Sequence, residues 1–353
     1  MRILLVILSF SALAVPARAC NVPVFRYAFE HWAAEPYQVT LYHKGPLAAA
    51  DLARVDAMEQ ASPDCVKFHS IDLAAQSCEN PPTRLPWLVV RYPQSARTTA
   101  PVWQGPLAED LVASLLESPR RRELVRRLLA GDSAVWILLE SGQTETDNAL
   151  AKTMETQARH LEKTLKLPVL SLSAEDRIRD DVVPLRLSFS VLRVSRSDPA
   201  ERLLIRMLLG SEADLEERTG PLVFPVFGRG RALYALAGEG INPANLAKSA
   251  EFLIGACSCK VKEAHPGVDL LLTGDWPTAP DVTTLRGAGT VETSADTPES
   301  VPLPAVKVKP LATPVGVTPD TDAADGRRVW LLGGILAAAL LTLVTGRIAW
   351  RGR

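Results

Sequence analysis

Two kinds of apolar pattern alternate along the chain: every second residue, as in a strand, and every third or fourth residue, as in a helix. The first succession opens with a helical pattern over residues 23–32 and continues as strand, helix, strand and a hairpin of two strands. The predicted ranges are 37–43, 47–60, 65–73, 85–90 and 101–105. Two further helices, 106–117 and 119–130, follow, and the second lies between Ser118 as N-cap and Gly131 as helix stop.

The second half repeats this plan with an insertion. Strand patterns cover 134–140, 185–194, 220–227 and 231–237, and helical patterns cover 147–165, 199–209 and 242–256. Both halves run strand, helix, strand, helix or loop, strand, strand, helix. This succession predicts an α/β fold with two tandem domains, residues 20–131 and 132–276. Pro225 is discordant, because a proline in a central strand removes a ladder hydrogen bond.

The first residues have the pattern of a secretory signal peptide. A positive start at Arg2 leads into an apolar run over 3–15, and Ala17-Arg18-Ala19 is a small-x-small cleavage signal. We therefore expect residues 1–19 to be removed and Cys20 to begin the mature chain. A cysteine in that place resembles the lipid acceptor of bacterial lipoproteins, but Arg18 departs from the residue types of the lipoprotein pattern.

Residues 329–346, from Val329 to Gly346, carry no charged side chain. A helix rises about 1.5 Å per residue and the hydrocarbon core of a bilayer is about 30 Å thick, so this run predicts a membrane-spanning helix. The alternative is a buried core helix, which fits poorly with the flanking arginines and with Trp330 and Trp350 at the ends. The predicted location is the cell (inner) membrane, with residues 347–353 in the cytoplasm and the bulk of the chain extracytoplasmic, in the periplasm.

Residues 277–328, ahead of this anchor, are rich in Pro, Thr, Ala, Asp and Val and lack apolar periodicity, which predicts a disordered stalk. The whole chain has 353 residues, 47% of them hydrophobic, and a formal net charge of -1. This balance gives no general attraction to anionic polymers, so we expect no nucleic-acid partner. The expected partners are the membrane, through residues 329–346, and a protein of the cell envelope.

Five cysteines would meet an oxidising compartment in an exported chain. Cys65 and Cys78 could close a small structural disulfide loop. Cys257 and Cys259, separated by one residue, could form a strained and labile redox pair or a purely structural bridge. Cys20 opens a helical pattern, where a thiol can be activated, and is the third redox candidate.

Neither a metal site nor a catalytic motif is predicted. Cys257 and Cys259 could supply half of a zinc site, but only His265 lies nearby, and no second pair of Cys or His residues has metal-ligand spacing. The chain contains no Gly-x-Ser-x-Gly, phosphate-loop or His-Glu-x-x-His pattern. We therefore expect no metal, no cofactor and no catalytic residue.

A run of arginines lies between the two predicted domains, on the predicted helix 119–130. Such a run is most often a solvated face, and its place between domains also suits interdomain salt bridges. It could alternatively dock an acidic partner or lie against lipid head groups. The residues of this basic patch are Arg120, Arg121, Arg122, Arg126 and Arg127.

The order of elements resembles the thioredoxin fold, in which a β-α-β unit is followed by a proline-led strand, a hairpin and a final helix. The resemblance covers about residues 37–117 and 133–256, and it implies that Pro86 and Pro221 occupy the place of the fold's cis-proline. An ordinary α/β arrangement of the same elements is the alternative. Thioredoxin-like oxidoreductases carry Cys-x-x-Cys where the first strand meets the first helix. Here 43–46 reads His-Lys-Gly-Pro and 141–144 reads Ser-Gly-Gln-Thr, so neither junction has a thiol.

These features favour a membrane-anchored binding or scaffolding protein of the cell envelope, without catalysis, because a tether raises the effective concentration of a binding module at the membrane. One alternative is a thiol-disulfide or redox-sensing protein that uses Cys257 and Cys259, or Cys20. Another is an accessory subunit of a membrane transporter, since the small residues at 333–334 and 337–339 would allow close helix packing in the bilayer.

Overall fold

The protein has a mixed α/β fold with two sheets, as its alternating patterns predict. The computed structural model describes residues 21–61, 64–96, 98, 100–108, 114–171, 176–257, 261–264 and 267–277. Its helices are α1 Val24–His31, α2 Ala49–Ala61, α3 Pro119–Leu129, α4 Thr144–Thr164, α5 Arg202–Leu209, α6 Pro243–Ile254 and α7 Val261–Ala264. Its strands are β1 Tyr37–His43, β2 Val66–Asp72, β3 Trp87–Arg91, β4 Pro101–Pro106, β5 Ala134–Glu140, β6 Phe189–Ser195, β7 Leu222–Phe227, β8 Arg231–Ala232, β9 Leu236–Ala237 and β10 Val268–Asp269.

The first sheet has the strand order β2-β1-β3-β4. β1 and β2 are parallel, as the helix between them requires, and β3 is antiparallel to β1. β4 pairs antiparallel with β3, which confirms the predicted hairpin. Val39 and Leu41 of β1 are fully buried, because alternate residues of a strand face the same side and this side meets the core.

The second sheet has the strand order β10-β8-β7-β5-β6, with β9 also paired to β7. β5 is parallel to β6 and antiparallel to β7. Pro225 lies in the middle of β7 opposite Trp136, yet the strand continues. Its carbonyl oxygen accepts the Leu233 N–H at 2.9 Å, between β8 and β9. Since the N and C=O of a strand residue point to the same side, the missing N–H faces the gap between those short strands.

Two clusters of buried side chains cover the two faces of the second sheet. On one face Trp136 and Leu138 pack with residues of α1, α4 and α6. On the other face Ile137 and Leu139 share a core with α3, α5 and the inward side of the first sheet, including Leu41. The second sheet is therefore buried on both sides, as the continuous apolar run of β5 predicts.

Helix α1 confirms the helical pattern predicted for residues 23–32, and it packs against the second sheet. The Val24 N–H donates to the Gly255 carbonyl at 3.0 Å, and the Cys257 N–H donates to the Val22 carbonyl at 2.9 Å. At the other end of the helix, the Arg229 guanidinium donates to the carbonyl of Phe29 at 2.7 Å. Residues at both ends of the described chain thus meet at this sheet.

A buried ion pair lies within the second sheet, between β8 and β10, and its aspartate also contacts the start of the first sheet. The Arg231 guanidinium lies 2.6 Å from the Asp269 carboxylate, and both side chains are almost fully buried. The same carboxylate accepts the Glu35 N–H at 3.1 Å, just before β1. The Tyr37 hydroxyl of β1 donates to the Asp269 carbonyl at 2.9 Å, so one residue of β10 holds the start of the first sheet.

Capping signals in the sequence identify the ends of two helices. The Ser118 hydroxyl accepts the Arg121 N–H at the start of α3, and Gly131 after its end has a φ of +95°. The Asn242 side chain accepts the Asn245 N–H at 2.9 Å at the start of α6. The cap and stop predicted for α3 and the start predicted for α6 are confirmed.

Several predicted elements differ from the structure or extend beyond the described residues. The strand predicted over 231–237 is divided into the short strands β8 and β9. The strand predicted over 185–194 begins at Phe189, and the helix predicted over 199–209 opens with a 3-10 turn, Pro199–Glu201, before α5. The helix predicted over 106–117 lies partly outside the described residues. The predicted signal peptide, almost all of the stalk, the membrane helix and the tail lie wholly outside them. Within the described part of the chain, no helix combines the length and apolarity needed to cross a bilayer.

Candidate functional site

Both strand-to-helix junctions that correspond to the thioredoxin resemblance are closed by a carboxylate. In the first sheet, Asp72 accepts the N–H groups of Gly45 and Ala74, each at 2.8 Å. These two hydrogen bonds lower the pKa of Asp72 below its usual value. The turn is a folded structure that needs no ligand to satisfy its backbone.

The junction in the second sheet is closed in the same way by Asp147. Its carboxylate accepts the Ser141 N–H at 3.0 Å and hydroxyl at 2.9 Å, and the Gly142 N–H at 2.9 Å. Asp147 is buried, so the turn is fixed from within the protein. Because neither junction carries a thiol, neither can perform the disulfide exchange that a Cys-x-x-Cys motif supports there.

Pro86 and Pro221, which the thioredoxin resemblance equates with the cis-proline of that fold, differ in the geometry of the preceding peptide bond. The Leu85–Pro86 bond, ahead of β3, is the cis peptide bond found within the described ranges. Pro221, ahead of β7, is therefore preceded by a trans bond.

The described thiols do not form the predicted structural loop. Cys65 and Cys78, which could close such a loop, are both free in the structure. The Cys65 thiol instead donates to the Leu272 carbonyl at 3.3 Å, and burial raises its pKa. Spacing along the chain suggested the disulfide, whereas the fold turns Cys65 toward the end of the described chain.

The redox candidates are only partly described. Cys257 is 4% exposed, next to the segment that leads into α1. An attacking thiol must be reachable by its substrate, so this burial disfavours Cys257 as a nucleophile. Cys20 and Cys259 lie outside the described residues, and their roles stay predictions. No group of three His, Cys, Asp or Glu side chains within the described ranges could hold a metal ion.

The arginines of α3 do not form one continuous basic patch. Arg121 is 2% exposed, and its guanidinium donates to the carbonyl oxygens of Leu115 at 2.8 Å and Leu271 at 3.3 Å. Arg126 and Arg127 both pair with Glu123 at 2.7 Å. Arg122 lies 3.1 Å from Glu117, and Arg120 is exposed. The run therefore contains one buried structural arginine, three surface arginines that share two glutamates, and one exposed arginine.

The outward side of the first sheet is a further candidate site. Its residues belong to neither core cluster, in contrast to the inward positions of the same strands. We call this surface the open face. Its members follow from the strand register and are Gln38, Thr40, Tyr42, Lys67, His69, Ile71, Trp87, Val89, Arg91 and Gln104.

The open face contains no acidic residue. Lys67 and Arg91 are cationic, and within the described ranges neither side chain has an ion-pair partner. The His69 ring and the Gln38 amide lie 3.2 Å apart and hydrogen-bond across two strands. A sheet face with cationic and amide groups and no carboxylate favours a negatively charged partner.

A cleft of about 230 Å³ deepens this surface beside β3. Its lining includes Val89, which is 4% exposed, and Tyr42 and Trp87, which are opposite each other in the register of β1 and β3. Arg84 and Arg91 line the same cleft. Aromatic walls with arginines at the edge can hold an extended side chain and a carboxylate together.

Sequence reasoning did not select these residues, although a signal for them exists. β1 alternates strictly, with Gln38, Thr40 and Tyr42 between apolar residues, which indicates one buried and one solvated face. The cleft also needs Arg84, which joins it only through the turn ahead of β3. Comparison of the chain with protein-family models, curated proteins and solved structures finds no significant match.

Proposed function

We propose that this protein is a membrane-anchored binding or scaffolding protein of the cell envelope whose open face takes an acidic segment of a protein partner. The observation that carries the proposal is a four-stranded sheet with one face left uncovered by the described helices, bearing cations and aromatic rings but no carboxylate. Opposite charge steers association and suppresses partners of the wrong sign.

The absence of catalysis is part of this proposal. Both strand-to-helix junctions are turns bonded to an aspartate, Asp72 in one and Asp147 in the other, and neither sequence supplies a thiol there. The proposed thioredoxin-like relation is supported by the strand orders β2-β1-β3-β4 and β8-β7-β5-β6, with the third strand antiparallel to the first in each. On this proposal the fold is a scaffold for recognition.

The proposed anchor rests on the sequence of residues 329–346 and the proposed export on residues 1–19. A stalk over residues 277–328 would let the open face reach a partner held at the same membrane. The partner could then be recognised even if its intrinsic affinity is weak.

The test uses the full chain in nanodiscs of uncharged net lipid composition. Binding of a fluorescein-labelled peptide with alternating Glu and Tyr residues is followed by anisotropy, with a Lys-and-Tyr peptide as the reversed-charge probe. We expect saturable binding of the acidic peptide alone. The double variant Lys67→Glu and Arg91→Glu should weaken this binding at least about tenfold, because two attractive contacts become repulsive.

The matched control is Lys163→Glu with Lys166→Glu, which makes the same charge change on exposed residues near the end of α4. Equal weakening by both double variants would reduce the effect to net charge and overturn the proposal. Preferential binding of a single-stranded oligonucleotide over the acidic peptide would also overturn it, since the partner class would then be wrong.

A further inference from the structure

A second cleft lies at the carboxyl end of the parallel strand pair in the second sheet. It has a volume of about 570 Å³ and occupies the turn that leads from β6 into α5. In open α/β sheets, ligands bind preferentially outside the carboxyl ends of the parallel strands. We call it the arginine cleft, after its basic lining residues Arg196, Arg202 and Arg206.

Two of these arginines lie unpaired on one side of α5. Arg202 and Arg206 are four residues apart, so they are neighbours on the helix surface, and like charges at this spacing disfavour the helix. Both are exposed, and neither guanidinium has a hydrogen bond or ion pair to any residue in the described ranges. By contrast, Arg218 a little further along the chain is paired with Asp214.

Arg196 brings a partly desolvated cation to the same cleft. Its guanidinium donates to the Gly220 carbonyl at 3.1 Å, which ties the end of β6 to the start of β7. The Nε atom of Arg196 is buried and has no hydrogen-bond partner within the described structure. Burial also lowers the pKa of this arginine. A buried donor without a partner is rare in native proteins and often marks the place of a missing ion or water.

The acidic groups of the cleft do not neutralise it. Asp198 accepts the Ala200 N–H at 2.9 Å and so holds the 3-10 turn. Glu216 lines the cleft and is exposed. The lining has three cations and two carboxylates, and the charge of Asp147 also acts on Arg196. Arg202 and Arg206 are the cations that no carboxylate pairs within the described ranges, and Glu216 could accept a hydroxyl group of a ligand.

The lining residues and the volume of the cleft favour an organic phosphate over other anions. Guanidinium groups match the oxygens of phosphate, and a phosphate monoester carries about -1.5 to -2 charges and several acceptor atoms. The volume lies within the usual 300–1,000 Å³ of small-molecule sites and exceeds what a bare phosphate needs. Ile205 and Leu209 offer an apolar wall for an organic group.

We propose that the arginine cleft binds the phosphate group of a small phosphate monoester, with Arg196, Arg202 and Arg206 as its cationic ligands. This site is separate from the open face and takes a different class of ligand. The same head-group chemistry occurs in a free metabolite and in a lipid with a terminal phosphate, so the test has one arm for each source.

In the first arm, glycerol 3-phosphate is titrated by calorimetry into the full chain held in phosphatidylcholine nanodiscs. In the second, vesicles with and without phosphatidic acid are floated with the detergent-solubilised chain. We expect saturable binding in at least one arm. The variant Arg202→Gln with Arg206→Gln should weaken it at least about tenfold, because two charge-assisted contacts are lost.

Arg120→Gln with Arg177→Gln is the matched control, because both residues are exposed and the change in net charge is the same. Binding by this control should equal that of the unmodified chain. Failure of both probes to bind, or equal weakening by the two double variants, would overturn the site. Cleft-dependent binding in the vesicle arm alone would support it and identify a lipid head group as the source.

Discussion

The four strands of the first sheet and four of the strands of the second sheet have the same order, but the two sheets differ in what covers their faces. The second sheet has buried side chains on both faces, and its strand β5 is apolar from Ala134 to Leu139. The first sheet shares only one face with the core: Val39 and Leu41 of β1 belong to the core cluster, whereas Gln38, Thr40 and Tyr42 belong to neither cluster. One arrangement of strands thus serves as a core layer in one place and as a surface in the other.

The difference shows how the burial of a strand determines its pattern of apolar residues. A strand covered on one side needs an apolar residue only at every second position, whereas a strand covered on both sides needs one at every position. The outward positions of β1 therefore do not need apolar side chains, and they hold Gln38, Thr40 and Tyr42. A functional surface is expected where the covering layer is missing, because there the outward side chains do not have to pack.

The sharpest test of this comparison replaces one tryptophan in each sheet. Trp136 is fully buried and stacks on Phe189, with ring centroids 5.6 Å apart. Trp136→Ala should lower the free energy of unfolding by about 3–5 kcal/mol, through lost burial and the cavity left behind. Trp87→Ala on the open face should cost about 1 kcal/mol or less. Denaturant titration of the full chain in detergent measures both.

Similar losses for the two tryptophan variants would contradict the comparison, because they would mean that the outward side of the first sheet is covered too. Gln104→Ala is a suitable control on the open face, since this exposed side chain has no hydrogen bond within the described ranges. Its change should stay within about 0.5 kcal/mol.

A second test addresses Asp269, whose carboxylate pairs with Arg231 inside the second sheet and contacts Glu35 ahead of the first sheet. Asp269→Ala leaves the Arg231 guanidinium buried without its partner and releases the Glu35 N–H. We expect a loss of about 3 kcal/mol in the free energy of unfolding, the usual cost of an uncompensated buried charge. Asp214→Ala, which breaks the more exposed pair with Arg218, should cost less than about 1 kcal/mol.

The measurement should follow unfolding by both tryptophan fluorescence and circular dichroism. Coincident transitions in the unmodified chain indicate that the two sheets unfold together. If Asp269→Ala separates the transitions, the contact of this carboxylate with Glu35 couples the two sheets. A variant as stable as the unmodified chain would contradict the expected stabilisation by the buried pair.

Periodicity predicted most strands and helices because it depends on which faces are buried, and each half of the chain meets that condition locally. It identified β5 as a buried strand, and the residue types Ser118 and Gly131 identified the two ends of α3. It could not predict the burial of Arg121, since one of the carbonyl groups that accept from its guanidinium belongs to Leu271, 150 residues further along the chain. The sequence alone does not distinguish the one buried arginine of this run from its four neighbours.

The candidate sites were harder to predict for the same reason. The open face needs the register of four strands, and a one-residue shift would turn its polar side chains inward. The arginine cleft needs Gly220 to meet Arg196 from another part of the chain. Cys65 and Cys78 are close in sequence, but a disulfide also requires a specific separation and direction of the two side chains.

The smallest expected effect concerns the carboxylates that close the two strand-to-helix junctions. Asp147 in the second sheet is buried, whereas Asp72 in the first is only half-buried. The pKa of Asp72 is lowered by the N–H groups of Ala74 and Gly45. Its contribution to stability is therefore complete above the ordinary pKa of an aspartate, and is lost as pH falls through the lowered value in the folded protein.

Asp72→Asn should thus reduce the free energy of unfolding at pH 7, and the difference from the unmodified chain should shrink as pH falls below about 4. Urea titrations at a series of pH values measure this difference directly. Asp56→Asn, on the exposed side of α2, is the control and should show no such dependence. A difference that stays constant down to low pH would mean that the charge of Asp72 does not hold its turn.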